Sequence, residues 1–249
     1  MRTTRLKSLT MTFAAAAVSL AAITLAAGTA SADTQYGPPG TPGAPTLPTT
    51  SGTFGNPVNI YSGGTIGDST NQVIEVPFNS SASGTGARVY TVNGSNAQRI
   101  YFQRVTTATV HPTAGDASQQ VGAYRIVHFT QDGQLCLDAD GSNGAPGAGS
   151  AVTWFECDPN STNQPNQLWL YQPGGGHPAI YNLEAAQAVG NHLNTAPVLA
   201  NANITTGALQ LQAQQNTTPW TAGWLLRDMT GGHPNWGSCD SVSCTIAVS

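Results

Sequence analysis

Three segments in the middle of the chain decide its fold: Cys136-Leu137-Asp138-Ala139-Asp140-Gly141, then Ala151-Val152-Thr153-Trp154-Phe155-Glu156-Cys157, then Asn166-Gln167-Leu168-Trp169. In a strand, Trp154 and Phe155 point to opposite faces, so one of them faces outward unless both surfaces are covered. The closing segment recurs. Asn96-Ala97-Gln98-Arg99-Ile100-Tyr101-Phe102 parallels Pro165-Asn166-Gln167-Leu168-Trp169-Leu170-Tyr171, and Thr221-Ala222-Gly223-Trp224-Leu225-Leu226 is a looser third copy. Ile100, Trp169 and Trp224 are spaced by 69 and 55 residues, and a His-Pro pair follows each copy: His111-Pro112, His177-Pro178 and His233-Pro234. Three similar units predict an all-β barrel closed by pseudo-threefold symmetry, which removes exposed strand edges. The longer first interval predicts a loop near Thr106–Gln120.

Outward from these copies the chain reads as strands throughout. Val73–Val76, Ala87–Val92, Ile100–Val105, Tyr124–Phe129, Ala151–Phe155, Leu168–Tyr171 and Leu209–Leu211 are short apolar or alternating runs separated by Gly, Pro, Asn and Ser. That pattern belongs to a sandwich or barrel. Only Leu183–Val189 reads as a helical turn, stopped by Gly190.

The first fifty residues set the context. Arg2, Arg5 and Lys7 precede an alanine-rich apolar run, Phe13–Ala27, and Ala30-Ser31-Ala32 matches the small-residue cleavage pattern. Residues 1–32 are therefore expected to be a secretory signal peptide, and the protein to be secreted. The run is shorter than the roughly 20 apolar residues of a membrane span, and the first cysteine is Cys136, so neither a spanning anchor nor a lipid anchor is expected. Residues 33–52 read as a Pro/Gly-rich linker in which Pro38, Pro39, Pro42, Pro45 and Pro48 favour extended polyproline II. The remainder, 53–249, suffices for one domain, with repeats near 56–105, 123–172 and 178–227 and a C-terminal tail at 228–249.

Charge narrows the partners. The chain holds eight basic and twelve acidic residues, and three of the basic ones lie in the expected signal peptide. The remaining five are all arginine, too few to form the basic patch that a phosphate backbone demands. Nucleic acid and anionic membranes are not expected partners. A surface rich in Asn, Gln, Ser, Thr and Gly suits neutral polyols, since such groups both donate and accept hydrogen bonds. Four cysteines in an exported chain read as two disulfides. Of three possible pairings, the pairs nearest in sequence, Cys136–Cys157 and Cys239–Cys244, are expected. Scattered histidines without zinc-type spacing predict no metal site, and nothing calls for a cofactor.

The middle repeat resembles a ricin B-type lectin subdomain. That family repeats a Cys-Leu-Asp-Val start, an aromatic just before the second cysteine and a closing Gln-x-Trp, matched here by Cys136-Leu137-Asp138-Ala139, Phe155 before Cys157, and Gln167-Leu168-Trp169. In the first repeat Val73-Ile74-Glu75-Val76 resembles the start, Tyr90 the aromatic and Gln98 the closing glutamine, with Val73 and Val92 in the cysteine positions. In the third, His192-Leu193-Asn194-Thr195 stands for the start and Gln212 for the aromatic. The resemblance implies a β-trefoil, a carbohydrate-binding function and a site within the repeat. Asp138 would accept from two sugar hydroxyls, Phe155 would stack on the ring and Asn166 would add a hydrogen bond. Thr153 would stand where the family often has glutamine, and Gln167 and Trp169 would be structural. A galactose-type or related neutral sugar is then the expected ligand, bound at one working site in repeat two.

Two other classes compete. A glycosidase would pair carboxylates such as Asp138, Asp140, Glu156 and Asp158 across a cleft at roughly 5–9 Å. The trefoil leaves no separate catalytic domain, however, and no Gly-x-Ser-x-Gly elbow is present. No enzyme is expected. A trefoil without sugar sites, such as a protease inhibitor or surface protein, is the stronger alternative, because two repeats have lost much of the motif. Asp138 capping a turn, and the three His-Pro pairs acting as turn elements or as a threefold metal site, are further readings of single residues.

Overall fold

Alternation puts Ile60, Ile74, Leu137, Trp154, Leu199 and Leu211 on one side of their strands, and in the computed structural model these side chains meet in one buried core. The structure describes residues 47–62, 72–113, 115–159, 164–172, 178–203 and 205–229. Its strands are β1 (Val58–Ser62), β2 (Gln72–Glu75), β3 (Thr85–Gly86), β4 (Arg88–Thr91), β5 (Tyr101–Val110), β6 (Gln119–Thr130), β7 (Gly133–Ala139), β8 (Val152–Glu156), β9 (Trp169–Gln172), β10 (Ala179–Asn182), β11 (Val198–Asn201), β12 (Leu209–Gln212) and β13 (Trp224–Asp228).

Apart from the short β3, these fall into three sets of four: β1-β2-β4-β5, β6-β7-β8-β9 and β10-β11-β12-β13. The outer members of each set build a barrel. β13 pairs β1, β5 pairs β6, β6 pairs β9 and β9 pairs β10, all antiparallel. Backbone bonds close the ring. Val58 and Ile100 exchange N–H···O bonds at 2.7 and 3.1 Å, and Trp224 N–H reaches Pro178 O at 2.8 Å. The inner members form three equivalent hairpins, with Val73 opposite Tyr90, Cys136 opposite Phe155 and Val198 opposite Gln212. Six barrel strands and three hairpins related by a pseudo-threefold axis make a β-trefoil.

Indoles pin the hairpins to the barrel. Trp169 donates through Nε1 to Leu137 O and Trp224 to Leu199 O, each at 2.8 Å. Ile100 stands at the matching barrel position in repeat one. Next to Ile74, the equivalent of Leu137 and Leu199, the carbonyl of Glu75 accepts from Trp154 Nε1 of the repeat-two hairpin, at 3.0 Å. Each of these buried N–H groups thus keeps its partner.

Four expectations need amendment or lie out of reach. The extra length at Thr106–Gln120 is a loop only between Val110 and Gln119: β5 and β6 run on as a ladder to that pair, with a bulge between Arg104 and Thr106. Ala108 and Val110 are buried while Thr107 and Thr109 are exposed, so this is an alternating, β-branched strand. The start of repeat three is not His192–Thr195, which forms a turn; the equivalent strand is β11, whose Val198-Leu199-Ala200 lies wholly inside. Within the linker, Leu47 packs in the core, Ser51 Oγ donates to Val105 O and Gly52 N–H to Arg104 O, so residues 47–52 are docked on the barrel. The expected signal peptide 1–32, the rest of the expected linker, the expected Cys239–Cys244 pair, His177, His233-Pro234 and the tail after Met229 lie outside the described residues.

The helical turn is α1 (Leu183–Ala188). Asn182 caps it by accepting from Ala185 N–H, and Gly190 at φ 71° ends it in the left-handed region open to glycine. Among the described residues no helix is long and apolar enough to cross a membrane.

Candidate functional site

Register sets the faces of the β7–β8 hairpin. Leu137 and Trp154 form the inward pair, so the pairs on either side, Asp138 with Thr153 and Cys136 with Phe155, share the outer face. Trp154 is fully buried and Phe155 is 48 % exposed, an aromatic plate left open to solvent. Cys136 is bonded to Cys157, which fastens the two strands beside Phe155.

The tight turn Pro165–Gln167 then delivers two amides to Asp138. Asn166 Nδ2 donates to Asp138 Oδ2 at 2.9 Å and Gln167 Nε2 to the same oxygen at 3.0 Å. Gln167 also donates to Glu156 O and accepts from Asp158 N–H, both at 3.0 Å, so it ties the turn to the hairpin. Asn182, the cap of α1, donates to Asn166 O at 2.7 Å and holds the turn from the other side.

Asp138 is only 7 % exposed. Burial pushes its carboxyl up to about 6, against the two amide hydrogen bonds, and the negative charges of Asp140 and Glu184 push the same way. Burial also raises Glu184, whereas hydrogen bonds from Ser142 lower Asp140. Asp140, not Asp138, takes the turn-capping role, accepting from Ser142 N–H at 2.9 Å. The three carboxylates, Phe155 and Asn166 line one cleft of about 440 Å³.

Asp138, Phe155 and Asn166 are therefore brought together. Thr153 faces Asp138 across the ladder and its neighbour Gly86 on β3, and it does not line the cleft. Gln167 and Trp169 are buried, with their polar atoms bonded as described. Glu156 and Asp158 do not line the cleft. Sequence signals do not reach Glu184. It lies in the first turn of α1, in repeat three, and no repeated motif marks it; only the Asn182 capping position before it hints at a helix start there.

Equivalent positions in the other repeats hold different chemistry. In repeat one Glu75 replaces Asp138 and accepts from Gln98 Nε2 at 3.3 Å, while Gln98 bonds Thr91 O and Asn93 N–H as Gln167 bonds Glu156 O and Asp158 N–H. Arg88 stands in the Thr153 position and binds Glu75 Oε1 through Nε and Nη2, at 2.8 and 2.6 Å. Its guanidinium lies about 5 Å from the rings of both Phe78 and Tyr90. Glu75 is thus occupied by an internal cation. In repeat three Ala200 and Ala222 replace Asp138 and Gln167, and both belong to an apolar cluster.

Among the described residues no group of three His, Cys, Asp or Glu side chains is placed to hold a metal ion. His111 faces His192, its ring 5.0 Å away.

No family model and no curated protein matches the sequence. Solved structures do resemble the chain. A designed threefold-symmetric protein, ThreeFoil, is 14 % identical with a TM-score of 0.45, covering 70 % of this chain and 99 % of its own. The SDF2-like protein from Arabidopsis thaliana is 13 % identical with a TM-score of 0.40, covering 71 % and 94 %. A Caenorhabditis elegans protein of unknown function is 9 % identical with a TM-score of 0.40, covering 72 % and 98 %. The β-trefoil assignment rests on the strand pairings above and not on these likenesses.

Proposed function

We propose that the protein is a secreted carbohydrate-binding lectin of the ricin B type. In this reading it takes a galactose-type or related neutral sugar in the repeat-two cleft and does not alter it chemically. The observation that carries this reading is the convergence of Asp138, Asn166 and the exposed Phe155 on one cleft. A carboxylate accepts from two hydroxyls at once, with about 1.5–3 kcal/mol for each charge-assisted bond. The Phe155 ring covers the apolar C–H face of a pyranose without asking for charge. Asn166 spends Nδ2 on Asp138 and keeps its carbonyl oxygen for a sugar O–H. Two or three polar contacts and one stacked ring, less the entropy of immobilising the ligand, support a Kd of about 0.1–1 mM.

The second reading, a trefoil that binds no sugar and serves as an inhibitor or surface protein, is favoured by the Arg88-filled position in repeat one and the alanines of repeat three. A glycan array followed by calorimetry on the protein from Asp33 onward separates the two. The lectin reading expects saturable binding that Asp138→Asn abolishes. A blank array, or full affinity in that variant, overturns it.

A further inference from the structure

Three carboxylates line the cleft, and no Lys or Arg lines it among the described residues. They come from two walls. Asp138 lies near the end of β7 and Asp140 just beyond it, whereas Glu184 comes from α1 of the next repeat and reaches toward Gly141. Its Oε2 lies 3.7 Å from where a Cβ on Gly141 would sit. A neutral sugar hydroxyl needs one acceptor lone pair, and the open Oδ1 of Asp138 alone supplies two. The surplus negative charge therefore asks for a different ligand group.

The free oxygen of Asp138 points to that group. Both protein donors, Asn166 and Gln167, land on Oδ2, and Oδ1 carries no hydrogen bond from the described residues although the side chain is more than nine-tenths buried and lines the cleft. An anionic oxygen left open to the cleft on a side chain otherwise withdrawn from solvent is best completed by a charged donor. An ammonium presents three N–H donors and a compact positive charge. Asp138 Oδ1 and the Glu184 carboxylate can share it across the cleft, while Phe155 holds the ring.

We propose that the cleft selects sugars bearing a free, protonated amine over their neutral and N-acetylated counterparts, with Glu184 as the specificity-determining residue. This rests on the lectin reading of the same cleft. Sulfated and uronic sugars are excluded by the same field, and the preference weakens with salt because the cleft is open to solvent.

Calorimetric titration at pH 7 with galactosamine, galactose, N-acetylgalactosamine and ethylammonium tests it. Galactosamine is expected to bind about tenfold tighter than galactose at low ionic strength, with the excess falling to about twofold in 0.5 M salt. N-acetylgalactosamine should show no excess, and ethylammonium no measurable binding. Glu184→Gln, its fold checked by an unchanged melting curve, should cut the galactosamine-to-galactose ratio several-fold. Equal affinity for galactosamine and galactose, or a ratio unmoved by Glu184→Gln, overturns the amine preference and leaves the lectin reading standing. No binding by any of the three sugars overturns the lectin reading itself. Ethylammonium binding as tightly as galactosamine overturns both, because the cleft would then be a bare cation site.

Discussion

Gln167 donates through Nε2 to Asp138 Oδ2 at 3.0 Å, and the same bond recurs in repeat one between Gln98 and Glu75. In repeat three both members are alanine, Ala200 and Ala222, within one apolar cluster. The pair is thus polar at both ends or apolar at both ends. The reason is energetic: a buried acceptor or donor left alone loses its solvation without compensation, about 1–3 kcal/mol and more for a charge, whereas an apolar pair leaves nothing unsatisfied.

A double-mutant cycle on that pair should show strong coupling. Asp138→Ala strands one N–H of Gln167 Nε2, which keeps only Glu156 O, and Gln167→Ala leaves the buried carboxylate with Asn166 alone. Each single change is expected to destabilise by about 1–3 kcal/mol, and the double variant by about 1 kcal/mol or more less than their sum. Urea unfolding of the four proteins measures this; strict additivity contradicts it.

The raised carboxyl of Asp138 makes both stability and binding depend on pH. Its value in the fold is about 6, against an ordinary unfolded value of about 3.9. Between those values the folded chain holds a proton that the unfolded chain has released. The stabilisation this gives is complete below about pH 4 and is lost as the pH rises through about 6, by roughly 1–2 kcal/mol after solvent screening at the open cleft. Asp138→Asn stays neutral throughout, so its stability relative to the parent should rise between pH 4 and pH 7. Denaturation curves at pH 4, 5.5 and 7 test the sign. Sugar affinity runs the other way and should fall as the pH drops below 6, since a protonated carboxyl accepts less well.

Phe155→Ala should separate binding from folding. The ring is half exposed, so its loss removes little core packing, and the melting curve should shift by no more than a degree or two. Removing a stacking face is expected to weaken sugar binding by about 1 kcal/mol, roughly fivefold. Trp154→Ala, one residue earlier, should do the reverse and cost about 3–5 kcal/mol of stability, because that indole is fully buried and bonded to Glu75 O.

The Cys136–Cys157 bridge closes a loop with a sequence separation of 21. Loop-closure entropy assigns it about 3 kcal/mol. Replacement of both cysteines by valine, the residue that repeat one carries at Val73 and Val92, should preserve the fold and lower the melting midpoint by several degrees. Scanning calorimetry checks this, and an unchanged midpoint would show that the cross-link costs the unfolded chain no entropy.

Much of the fold was legible because its signals are local. Trp154 and Phe155 alternate in sequence, so the pleat puts them on opposite faces and leaves one open wherever a single face is covered. Two Gln-x-apolar closures and the looser copy ending in Trp224 disclosed the threefold repeat, and the cysteines flanking repeat two disclosed their pairing. Local signals also misled. Leu193-Asn194 imitates the Leu137-Asp138 start but lies in a turn, and only the pairing of β11 with β12 identifies Ala200 as the partner position of Asp138. The stretch Thr106–Val110 looked like inserted loop because its partner, Gln119–Ala123, lies beyond a connecting segment.

The residue types at the site, an acid, an aromatic and an amide in repeat two, are readable from the sequence alone, because one repeat contains them all. What surrounds Asp138 is not. Its single bonded oxygen, its raised carboxyl and the approach of Glu184 from the third repeat arise only when distant segments fold together, since burial and electric field are set by neighbours in space rather than along the chain.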